Sequence, residues 1–81
     1  MAGRHGRDRE PVMLAGSVVL PCGRSMRVMI VDLSPSGCRV ECEETLPVAA
    51  RVVLDFGGAM ANALVRWAYP GEAGLQLLLD G

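Results

Sequence analysis

The strictest constraint on this chain is a period of two. The stretch "CRVECE" at 38–43 sets Cys38, Val40 and Cys42 against Arg39, Glu41 and Glu43. That is the alternation of a half-buried β-strand. A run over 11–20 places Val12, Leu14, Val18 and Leu20 on one face, and 26–33 is apolar on both faces, as in a well-buried strand. Residues 51–56 alternate Val52, Leu54 and Phe56 with Arg51 and Asp55. Residues 60–69 set Ala61, Ala63, Val65, Trp67 and Tyr69 against Asn62, Leu64 and Arg66, and 75–79 forms a last run. On this reading Trp67 and Tyr69 belong to the core. Between the runs lie "PCGRS", "SPSG", "ETLPVA", "GG" and "PGEAG", which are turn and loop compositions. No stretch has the 3.6-residue period of an amphipathic helix.

Six short strands at even spacing predict an antiparallel barrel or sandwich. Closure into a barrel also removes the edges that a small sheet cannot otherwise protect. The expected fold is therefore all-β, a small six-stranded antiparallel β-barrel over residues 11–81. A flexible N-terminal arm over 1–10 precedes it.

Size and composition narrow the function. Eighty-one residues make one domain, which hides little more than half of its unfolded surface. With 51% hydrophobic and 21% charged residues the chain is globular, and at 4% aromatic its core must be aliphatic. The net charge of −1 counts against a general nucleic-acid binder. The arm differs from the rest. Arg4, Arg7 and Arg9 there outnumber Asp8 and Glu10, which leaves five arginines against seven acids in the remainder. A positive arm on an acidic body suits a small anionic ligand better than a long polyanion, so no DNA partner is expected.

No run approaches the ~20 apolar residues of a membrane span, and no apolar segment follows the arm as in a signal peptide. Three cysteines without a C-x-x-C make neither a disulfide framework nor a zinc site. Cys38 and Cys42 share a strand face about 13 Å apart, too far for a bond with each other. A cytoplasmic location follows as the expectation. The single histidine, His5, has no partners for catalysis. No enzyme, cofactor or metal is expected.

Two polar elements remain to be explained. In "VDLSPSG" (31–37), Asp32 and Ser34 are two apart and project to the same side of a strand end, while Gly37 permits a close backbone approach. Asp and Ser also cap turns through their own backbone, so turn chemistry and ligand contact are both open from residue types alone. Three arginines outside any strand are usually a solvated tail; the functional alternative is a set of cationic forks for phosphate and purine.

Together the two elements resemble the PilZ domain, a bacterial β-barrel family many of whose members bind cyclic di-GMP. The resemblance runs from the arm through "REPVMLAGSV", "VDLSPSGCRVE" and "LPVAARVVLDF" to "ALVRWAYPGEAGLQLLL". Asp32 to Gly37 matches the Asp/Asn-x-Ser-x-x-Gly motif in full. The resemblance implies a ligand site of Arg9, Asp32, Ser34 and Gly37, over which the arm folds. The family's Arg-x-x-x-Arg is incomplete here. Aligning "REPV" puts Arg9 at the second arginine and His5 at the first, leaving Arg7 or Arg4 to supply the missing fork. One lost charge-assisted contact costs about 1.5–3 kcal/mol, or roughly 10- to 100-fold in affinity.

The function implied is a non-enzymatic cyclic di-GMP receptor or adaptor. A PilZ-like protein-interaction module without nucleotide is the alternative, supported by the incomplete arm motif. A small RNA- or single-stranded-DNA-binding barrel comes third, disfavoured by the acidic body and few aromatics. Leu64 and Leu78, on outward strand faces, are candidates for a surface that a protein partner or a second copy covers.

Overall fold

The computed structural model describes residues 10–78. Arg4, His5, Arg7 and Arg9 lie outside the described residues. Six strands follow in order: β1 (Glu10–Val19), β2 (Ser25–Ser34), β3 (Gly37–Cys42), β4 (Arg51–Phe56), β5 (Ala59–Tyr69) and β6 (Glu72–Leu77). All pair antiparallel, and the sheet closes as a barrel in the order β1-β2-β3-β6-β5-β4. The expected all-β, six-stranded antiparallel barrel is what forms.

The turns follow from their residues. At Gly57 and Gly58 φ is 58° and 81°, positive at both central positions as a type I′ hairpin requires. The turn after β5 is shorter than the sequence implies. Pro70 and Gly71 alone make it, because Tyr69 already pairs with Glu72. Strand β6 therefore starts at Glu72 and ends at Leu77, against the run of 75–79 read from the sequence.

Inside, the expected faces meet. Val18, Val28, Ile30, Cys38, Val40, Cys42, Val52, Leu54, Ala63, Val65 and Leu75 form one aliphatic core. Burying each of its larger side chains contributes about 1.5–3 kcal/mol. Leu46, from the loop between β3 and β4, joins this core at 1% exposure; it anchors a segment that reads as plain loop. The cysteines are unpaired, Cys38 and Cys42 buried and Cys22 exposed. Burial pushes the Cys42 thiol up, which keeps it neutral among its apolar neighbours.

Three irregularities break the strict alternation. Register shifts lie between Pro11 and Leu14 in β1, between Ile30 and Asp32 in β2, and between Val65 and Trp67 in β5. Each extra residue turns the following side chains to the opposite face. Leu14, expected to face inward with Val12 and Val18, is exposed as a result, while Val12 packs on the core.

Candidate functional site

The bulges in β2 and β5 build the site. Val28 and Ile30 point inward, and strict alternation would carry Asp32 into the apolar core with them. A buried, unpaired carboxylate there is costly. The shift after Ile30 turns Asp32 out instead, opposite Arg39, and lets Leu33 pack against the core.

The bulge in β5 does the same for the aromatics. Trp67 and Tyr69 do not face the core, as alternation from Ala63 and Val65 implies. They stand on the outer face, 36% and 61% exposed, with ring centroids 5.6 Å apart. Ala68 takes the inward place. The extra residue in the bulge is Arg66, whose Nη1 donates to Gln76 Oε1 at 2.6 Å.

Cross-strand pairing then lines up one row on the barrel exterior. Trp67 is opposite Gly74, Gly74 opposite Arg39, Arg39 opposite Asp32, and Asp32 opposite Pro11. With strands ~4.8 Å apart, Trp67 and Asp32 stand about 14 Å from each other along it. The row ends two residues after Arg9 in the chain. Around it lies an open pocket of about 630 Å³, lined by Asp32, Ser36, Arg39, Arg66, Trp67 and Gln76 among others, within the range of small-ligand sites.

The two glycines lining the pocket are explained by close approach. A Cβ on Gly74 would collide with the Trp67 indole ring, and one on Gly37 would collide with the Leu75 carbonyl oxygen of β6. Gly37 thus lets β3 and β6 come together, and it also lines the pocket.

The motif residues divide by role. Asp32 faces the pocket. Ser34 is buried, and its hydroxyl donates to the Gly37 carbonyl at 3.1 Å, closing the β2–β3 turn. Its Oγ also lies 3.4 Å from Ser36 Oγ, and Ser36 is the serine that lines the pocket. Arg39 Nη1 donates to Glu72 Oε1 at 3.1 Å, and its Nε lies 4.0 Å from Asp32 Oδ2. Sequence reasoning missed Ser36, Arg39, Arg66 and Trp67 as site residues. Arg39 and Arg66 were legible as outward-facing, but nothing in a single strand says which outward residues adjoin across strands.

A larger groove, about 950 Å³, runs over β1, β2 and β3, with Glu41, Glu43 and Glu44 on one side. Its three carboxylates face one lining arginine, Arg27, whereas the pocket on β2, β3, β6 and β5 sets Arg39 and Arg66 against Asp32 alone and is the better candidate for the anionic ligand expected from the sequence. Leu64 and Leu78, expected on outward faces, are both half-buried.

The chain is thus a closed six-stranded barrel with arginines and a tryptophan around an open pocket on its outer wall. No protein-family model matches the sequence, and no curated protein matches it. Among solved structures, the PilZ domain of CeSA from a cellulose-synthesizing bacterium superposes with a TM-score of 0.76. The match covers 90% of this chain and 82% of that one at 20% identity. The fold is that of a PilZ domain.

Proposed function

We propose that this chain is a non-enzymatic receptor or adaptor for cyclic di-GMP, with the N-terminal arm closing over the bound dinucleotide. The observation that carries the reading is the row Trp67–Gly74–Arg39–Asp32–Pro11. It offers, in order, an aromatic face, a cation and a carboxylate, and it ends where the arginine-bearing arm joins β1. Each group matches a part of a guanine dinucleotide. An indole stacks on a base, a guanidinium grips phosphate or the guanine O6 and N7 acceptors, and a carboxylate accepts from the guanine N1–H and 2-amino group. Arg9, helped by Arg7 or Arg4, supplies further forks, and His5 stands where the family places another. Ser34 acts by holding the turn and Gly37 by admitting β6.

Titration calorimetry of the full chain with cyclic di-GMP tests this, with cyclic di-AMP as the control. Adenine lacks the N1–H and 2-amino donors, so only the guanine ligand is expected to give heat. If neither wild type nor His5→Arg binds at millimolar ligand, the receptor reading fails. The protein-interaction module then takes its place.

A further inference from the structure

Two carboxylates converge on one guanidinium in the pocket. Arg39 reaches Glu72 at 3.1 Å and stands 4.0 Å from Asp32. Glu72 arrives diagonally. The residue directly across from Arg39 on β6 is Gly74, whereas Glu72 lies directly across from Glu41. Like charges directly opposite each other are unfavourable. Glu72 therefore gains by leaning away from Glu41 toward the arginine. The side-chain space over Gly74 is taken by the Trp67 indole, which stands beside the pair.

We propose that Arg39 is an anion-binding residue of this pocket and that Glu72 competes with the ligand for it, so that Glu72 sets the affinity of the site. This rests on the cyclic di-GMP reading and adds to it a residue pair outside the two sequence motifs. A bidentate grip on phosphate needs two parallel N–H donors of the guanidinium fork. Glu72 holds one of the arginine's terminal nitrogens, so a phosphate that takes Arg39 must displace or share that contact. The pair is well exposed, at 43% and 38% for the two side chains, and exposed pairs are held weakly. The exchange is reversible, and its size is modest.

The test is a set of calorimetric titrations with cyclic di-GMP on wild type, E72Q, R39A, the double variant and E41Q, with circular dichroism to verify folding. E72Q removes the charge that holds Arg39, leaving a weaker neutral acceptor, and is expected to tighten binding about two- to fivefold. R39A is expected to weaken it at least about fivefold, and E72Q is expected to add nothing in the R39A background. E41Q removes the same charge from the residue directly across from Glu72 and serves as the control for general electrostatics. If R39A does not fold, R39K replaces it; a lysine keeps the charge but loses the fork, so the gain from E72Q must shrink there too. Wild-type binding with an E72Q effect that is absent, or equal to that of E41Q, overturns the competition and leaves the receptor reading intact. Absence of binding in every variant at millimolar ligand overturns both.

Discussion

The indole of Trp67 lies over Gly74, in the space a side chain at position 74 would fill. An aromatic ring is thus laid against the barrel wall by the absence of a Cβ one strand away. The bulge after Val65 turns the ring outward, and Gly74 determines how closely it lies. Trp67 is the chain's only tryptophan, so its environment is directly readable.

Gly74→Ala is expected to lift the indole off the wall. A half-exposed ring can swing away, so the stability cost is about 1–2 kcal/mol. Tryptophan emission should shift to the red, and affinity for cyclic di-GMP should fall. Trp67→Ala should lower affinity about tenfold, in line with one lost base stack, while the circular dichroism spectrum stays that of a β-barrel.

The arm is expected to bind through Arg9 in the register set by "REPV". Arg9→Ala should weaken cyclic di-GMP binding at least tenfold, the loss of one charge-assisted fork. His5→Arg restores the four-residue spacing to Arg9 and should strengthen binding about tenfold. Unchanged affinity in His5→Arg, combined with loss of binding in Arg4→Ala, would show that the arm engages one residue out of that register.

Ala49 adopts φ of 72°, a left-handed conformation that disfavours any residue with a Cβ. The position is held because Ala49 N–H donates to the Val65 carbonyl at 2.7 Å while Val65 N–H donates to that of Ala50 at 3.0 Å. These bonds lay the loop against β5 beside the bulge. Ala49→Gly relieves the strain and should stabilise the barrel by about 0.5–1 kcal/mol. Urea denaturation measures this as a higher midpoint at unchanged slope.

Much of this fold is written in the alternation of β3 and β4, where every inward residue of the sequence pattern is in the core or packs on it. The bulges are what alternation hides, and only one of them leaves a chemical sign. Val28, Ile30 and Asp32 share a parity, so a strict strand would bury a carboxylate; that conflict by itself points to a break before Asp32. Val65, Trp67 and Tyr69 share a parity without conflict, because aromatics are at home in a core. Their outward turn is therefore silent in the sequence. "PGEAG" misleads for a similar reason: glycine at 74 serves strand packing under an indole, not a turn. The pocket itself is a property of register between strands distant in the chain, which no single strand records.

Asp32 and Ser34 sit in one motif but are expected to fail differently when changed. The Ser34 hydroxyl is buried and donates to the Gly37 carbonyl across the β2–β3 turn. Ser34→Ala removes that bond from the turn, at a cost of about 1 kcal/mol in stability. Binding should fall only as far as the loosened turn displaces Ser36 and Asp32. Asp32, by contrast, is on the pocket wall at the end of the bulged strand. Asp32→Ala should leave the barrel folded, since Asp32 stands on the outer wall at the end of its strand. It should nevertheless lower cyclic di-GMP affinity at least tenfold, because the guanine donors lose their acceptor. Paired urea denaturation and calorimetry separate the two. A folded Asp32→Ala barrel with the greater affinity loss supports the division. Equal affinity losses with equal stability would place the Ser34 hydroxyl on the ligand itself.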